Sequence, residues 1–131
     1  QAQAALVYDG ADCIGWCQFG PPAQLPRIKN AAAYRAAGTP PADWRITCFF
    51  TGKGHRGQGV AAAALTGALA RIGQLGGGTV EGFPEDTAGR KVSTSFLFCG
   101  SLALFEAQGF TRDRPLGKHK WLVTRTVATF P

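Results

Sequence analysis

A strand that feeds a helix through a glycine-rich loop constrains this chain more than anything else in it. Trp44 to Thr51 is rich in aromatic and β-branched residues and reads as a central strand. Gly52, Gly54, Gly57 and Gly59 punctuate the loop that follows. From Val60 to Leu75, Ala61, Leu65, Ala68, Leu69, Ile72 and Leu75 recur on one face of a helix, which Gly76, Gly77 and Gly78 stop. Such a junction gathers unpaired backbone N–H groups and the positive end of a helix dipole at one point, which suits it to a phosphate. Gly57 and Gly59 let an anion approach without a Cβ in the way, and Lys53, His55 and Arg56 add positive charge at the mouth. The same glycines would also serve a plain strand-to-helix turn with no ligand.

The rest of the chain fits around that junction. Leu6 to Tyr8, Asp9-Gly10, then Cys13 to Phe19 has the pattern of a hairpin, because Asp-Gly supplies the positive φ of a tight turn. Prolines at 21, 22, 26, 40 and 41 leave room between Gly20 and Asp43 only for short helical turns, around Gln24 to Lys29 and Ala31 to Ala37. Thr79 to Phe83 restarts as a strand that Pro84 ends, and Glu85 to Ser95 reads as loop. A short helix from Ser101 to Gln108 stops at Gly109, and Phe110 to Arg112 and Trp121 to Val127 form a last pair of strands across Pro115-Leu116-Gly117. The expectation is a single α/β (α+β) domain over residues 1–131, with a mixed, mostly antiparallel sheet and one crossover helix.

Length and charge narrow the function. With 131 residues and 45% hydrophobic side chains the chain can bury one core but not two ordinary ones. No apolar run approaches the ~20 residues of a membrane span, so no membrane partner is expected, and the cysteines fit best as reduced thiols in a cytoplasm. Lysine and arginine outnumber aspartate and glutamate by 14 to 8, which favours anionic partners. They are scattered, however, with only Lys118-His119-Lys120 clustered, which argues against a nucleic-acid surface. Cys13, Cys17, Cys48 and Cys99 make no Cys-x-x-Cys pair, and His55 and His119 lie far from zinc-finger spacing, so no metal is expected. Cys13 and Cys17, four apart on one strand, should share a face without bonding to each other.

Gly52-Lys53-Gly54-His55-Arg56-Gly57 reads literally as G-x-G-x-x-G, the dinucleotide fingerprint. A nicotinamide site would also want repeated βαβ units, for which the chain has no room, although Glu81 could serve as the distal acid. The P-loop pattern is absent.

Arg56-Gly57-Gln58-Gly59-Val60-Ala61 resembles the acetyl-CoA motif of the GNAT N-acetyltransferase superfamily, R/Q-x-x-G-x-G/A, and stands as that motif does between an aromatic strand and a helix. Gly100-Ser101-Leu102-Ala103-Leu104-Phe105-Glu106-Ala107-Gln108-Gly109-Phe110 is similar to the second signature of the family, a short helix ending in Gly-Phe. The resemblance extends over residues 4 to 127. It implies acetyl-CoA as co-substrate, a primary amine of a small molecule or protein as acceptor, and no metal. Cofactor contacts would come from Cys48, Phe49, Phe50, Arg56, Gly57, Gln58, Gly59, Val60, Ala61 and Phe105. A homodimer is left open.

The resemblance also implies chemistry. The backbone of Cys48, Phe49 and Phe50 would be the rail for the pantetheine arm, and an N–H of the same strand would polarise the thioester carbonyl. Glu81 is the first candidate for the base that deprotonates the amine, with Glu85 and Asp86 as alternatives and an ion-paired carboxylate as the other reading of Glu81. Where the family often carries a tyrosine to protonate the thiolate, this chain has Phe105, which cannot. The thiolate could leave unaided, or Ser101 or Cys99 could act through water, or the chain could be catalytically weak; the other reading of Ser101 is a helix N-cap. The family also carries a strand and two helices ahead of the position of Ala4, so an N-terminally incomplete chain is expected. The alternative to an enzyme is a CoA-binding or interaction module of the same fold without catalysis.

Overall fold

A computed structural model describes residues 3–25, 34–35, 42–51, 59–86, 97–98 and 100–129. Among them lie β1 (Gln3–Asp9), β2 (Asp12–Gly20), a 3-10 turn (Pro22–Gln24), β3 (Trp44–Thr51), α1 (Val60–Gln74), β4 (Gly78–Gly82), β5 (Leu97–Phe98), α2 (Leu102–Ala107), β6 (Thr111–Pro115) and β7 (Trp121–Val127). The strands form one open sheet in the order β1-β2-β3-β4-β7-β6, with β5 pairing to β3 off that path. Neighbours run antiparallel except β3 and β4, which are parallel. The architecture is therefore mixed α+β with a mostly antiparallel sheet, as the element pattern implies.

The strand-to-helix junction explains the single parallel pair. A chain leaving β3 must cross over through a helix to come back in the same direction, and α1 is that crossover. Both helices pack on one face of the sheet. Cys17, Phe19, Ile46, Phe49, Ala64, Leu65, Ala68, Ile72, Val80, Phe105 and Val123 make the main core between them. Each fully buried large apolar side chain of this kind contributes about 1.5–3 kcal/mol. Close approach is built in at Gly82, where a Cβ would run into the Phe105 ring. Gln108 Nε2, just past α2, donates to Thr66 Oγ1 of α1 at 3.0 Å, joining the helices side by side.

Among the described residues the opposite face is covered over one half only. Above β4 and β7, Tyr34 joins Phe83, Leu116 and Leu122 in a second small core. Above β1, β2 and β3, Leu6 and Tyr8 are 50% and 58% exposed, beside a half-buried Trp16 that stacks on Phe50 at 5.7 Å between ring centroids.

Several local expectations shift by a residue or two. The hairpin turn falls on Gly10-Ala11, because Asp9 still pairs with Asp12. Gly78 joins β4 and Pro115 stays in β6, paired with Trp121. A register shift between Val7 and Tyr8, which pair with Gly15 and Cys13, leaves Ile14 as an extra residue in β2. That bulge breaks the alternation, so Cys13 is exposed while Cys17 is buried, and the two thiols do not share an environment. Strand β5 has no counterpart in the sequence reading.

Candidate functional site

The parallel contact of β3 with β4 is short. Only Trp44 with Val80 and Arg45 with Glu81 are in register. Beyond them the partners change: Phe49 and Phe50 of β3 pair with Phe98 and Leu97 of β5, while β4 follows β7 as far as Gly82 with Val123. The two parallel strands thus part towards their C-terminal ends, and β5 stands beside β3 in the opening. Asp43 and Trp44 fasten the closed end: Thr79 N donates to Asp43 Oδ2 at 2.9 Å, and Trp44 Nε1 to Gly77 O at 3.1 Å.

Helix α1 begins just past the open end. Gly59 precedes it with φ 76°, a left-handed conformation that a side chain would strain, and Val60 beside it is buried. A Cβ at Gly15 would meet the Val60 side chain, so the absence of one there lets the start of α1 sit close on the β2–β3 pair. No acidic residue occupies the first turn of α1, which leaves its positive end uncompensated by side chains of that turn. Ala61 is half-buried. Arg56, Gly57 and Gln58, together with Lys53 and His55, lie outside the described residues.

On β3, Cys48 and Phe50 are half-buried and turned to the face opposite the helices, while Phe49 is buried beneath them. Phe49 meets Phe105 edge to face, with ring centroids 5.8 Å apart, and Phe105 in turn meets Phe110 at 5.0 Å. Phe105 is 0% exposed. It is wedged against Gly82 and Gly100 as a core side chain, which is the physical reason for an aromatic at this place in α2. Ser101 Oγ accepts the Leu104 N–H at 3.1 Å and caps α2. Its hydroxyl is thereby engaged in the local role that its position suggests.

Glu81 is the most firmly held of the candidate residues. Only 2% exposed, it accepts from Arg45 Nε through Oε2 and from Tyr34 O–H through Oε1, both at 2.7 Å. Arg45 also donates to Leu25 O at 2.7 Å and lies 5.4 Å from the ring centroids of Tyr34 and Phe83. Burial first, and then the hydrogen bond to Glu81, push the Tyr34 hydroxyl above its ordinary pKa. The phenol therefore stays a donor. Arg114 Nη2 donates to Tyr34 O at 2.9 Å, and Lys120 Nζ to Phe83 O at 3.1 Å. This arrangement ties Leu25 and Tyr34, which lie between β2 and β3 in the chain, to the sheet.

The sequence reading missed Arg45 and Tyr34 as partners of Glu81. A lone arginine inside an otherwise aromatic and β-branched strand was the available signal, since such a charge is buried only with a partner. The structure brings Gly59, Val60 and Ala61 to the open end of the β3–β4 pair, with Phe49 and Phe105 in contact beneath it. It does not bring Glu81 there. Glu81 lies level with Arg45, four residues before Phe49, or about 13 Å of strand rise. Glu85 and Asp86, further along the direction of β4, stand nearer to that level. Among the described residues no group of three or more His, Cys, Asp and Glu could hold a metal ion, and no helix is long and apolar enough to cross a membrane. A scan against protein-family models and a search of curated proteins both find no match.

Proposed function

We propose that this chain is an acyl-CoA-binding domain of GNAT type that transfers an acetyl group from acetyl-CoA to a primary amine. The observation that carries this reading is the parallel pair that parts after two residue pairs, with α1 starting at the open end. An extended thioester arm can pair with β3 where it parts from β4, in competition with β5, while its diphosphate lies at the start of the helix, whose first turn carries no acidic residue. Residues Arg56 to Ala61 carry the matching motif. Where β5 pairs with Phe49 and Phe50, the arm either meets β3 beyond them, from Thr51, or takes the place of β5.

Catalysis in this reading is mostly positioning. A strand N–H polarises the thioester carbonyl, and the amine attacks once its proton is removed. Glu81 is committed to Arg45 and Tyr34 and fixes the scaffold, so the base role in this reading passes to Glu85 or Asp86, which stand nearer to the level of the opening and would act through water. Phe105 and the capping Ser101 supply no acid to the leaving thiolate, so the thiolate departs unaided.

Those same two residues favour a second reading, a CoA-binding module that does not catalyse. Calorimetric titration with CoA and acetyl-CoA, followed by thiol release across an amine panel, separates the two. Micromolar binding with turnover supports the enzyme, binding without turnover the module, and no binding overturns both. Gly59→Glu, which sets a carboxylate at the helix end, is expected to abolish CoA binding; unchanged affinity would remove the loop from the site.

A further inference from the structure

We propose that β5 is a displaceable strap: it closes the edge of β3 while no cofactor is bound, and the thioester arm of CoA takes its place on Phe49 and Phe50. The inference rests on the acyl-CoA reading above and adds the regulation of that same site.

Where β3 and β4 part, another stretch of chain stands between them. From the last parallel pair, Arg45 with Glu81, four further residues lead to Phe49 along one strand and to Glu85 along the other, so the two are about level across the opening. Phe98 pairs with Phe49 and Leu97 with Phe50, antiparallel. Gly100 O then accepts the Glu85 N–H at 3.0 Å, and Glu85 O accepts the Leu102 N–H at 2.8 Å, which sets Ser101 beside Glu85 in the parallel sense. Between these two contacts lies Gly100, with a φ of 95° that favours glycine.

The two attachments are unequal. On the β4 side Glu85 is bridged to Lys120 as well as to Ser101, the Trp121 N–H donates to Pro84 O at 3.0 Å, and the Asp86 N–H donates to His119 O at 2.7 Å. Gly100 is buried against the Phe105 ring, and Ser101 caps α2. That half is part of the core. On the β3 side the attachment is two residue pairs, and β5 pairs with no other strand among the described residues. A two-residue strand on a single neighbour is the least supported pairing in the sheet. Gly100 is thus a hinge between a fixed half and a weakly held one.

The place of β5 decides how far the arm can run. Coming from the start of α1, an arm stopped at Thr51 leaves its thioester two residues, about 7 Å of strand, short of Phe49 and so of the level of Glu85. An arm that displaces β5 runs on to Phe49 and brings its carbonyl to that level. Without cofactor, β5 covers an edge of β3 whose unpaired N–H and C=O groups would otherwise be open to another chain. One extended partner replaces another, so the backbone groups of β3 are bonded in both states. The apparent affinity for CoA then scales with the fraction of molecules in which the strap is open.

Amide exchange on the wild-type chain, with and without saturating CoA, tests this, with calorimetry to establish binding. CoA is expected to speed exchange of the β5 amides about tenfold or more while those of β4 and β7 keep their rates. ADP, which carries a diphosphate without the arm, should leave β5 unchanged. Leu97→Pro removes an N–H from β5 and should raise CoA affinity about tenfold. Bound CoA that leaves β5 exchange unaltered would overturn the strap while the acyl-CoA reading stands. So would β5 amides that exchange freely before CoA is added, release of β5 by ADP alone, or unimproved CoA binding by a Leu97→Pro chain of unchanged circular dichroism. Should that variant fail to fold, exchange on the wild-type chain decides by itself. No CoA binding at all would overturn the reading and the strap together.

Discussion

The two ends of the sheet solve the problem of being an edge in opposite ways. At one end β6, Thr111–Pro115, is charged, broken by a register shift between Arg112 and Arg114, and closed by a proline. Arg112 there pairs with Glu106 at 3.0 Å and lies 5.1 Å from the Trp121 ring centroid. Behind it, the paired charges Arg45 and Glu81 hold Leu25 and Tyr34 on the sheet. At the other end β1 has a register shift between Val7 and Tyr8 but only Asp9 as a charge, and the surface behind it is Leu6, Trp16 and Tyr8. Charges and a proline mark the first end, whereas the second is apolar and, among the described residues, exposed.

The sharpest way to break this contrast is Glu81→Ala. It leaves Arg45 buried without its counter-charge and frees the Tyr34 hydroxyl, and urea unfolding should show a loss of about 3–5 kcal/mol. Leu6→Lys at the other end should leave monomer stability within about 0.5 kcal/mol, because the side chain already meets water. Comparable losses at both ends would end the distinction.

The apolar end has its own pH signature. Burial, with a smaller contribution from Cys48, raises the Cys17 thiol above its ordinary pKa of 9.0. The folded chain therefore keeps this proton after the unfolded chain has lost it. Unfolding releases a proton above about pH 9, so stability should fall with rising pH there, by up to about 1.4 kcal/mol per unit. The fall should be smaller in Cys17→Val, as read from denaturant midpoints. Ser101→Ala removes the cap of α2 and should cost about 1 kcal/mol. A larger loss, or one confined to turnover, would give that hydroxyl a task beyond capping.

Much of the local structure was legible before any tertiary contact was known. The start of α1 at Val60, its stop before Gly76, the Ser101 cap and the Gly109 stop with φ 86° all follow from residues within a few positions of each other. The candidate loop was legible for the same reason, because glycines between a strand and a helix are a local pattern. Boundaries moved where pairing extended a strand past its propensity, as at Gly78 and Pro115. Strand β5 was not legible, since two residues carry no periodicity and exist as a strand only through Phe49 and Phe50.

The order of the strands, the parting of β3 from β4 and the environment of Glu81 belong to the folded molecule alone. Glu81 meets Arg45 from 36 positions away and Tyr34 from 47, and no rule of local spacing reaches that far. Amino-acid order set which segments are strand, turn and helix, through steric preference and hydrophobic period. Only the closing of α1 over the sheet decided which of them became neighbours, and so made a candidate base into a buried anchor.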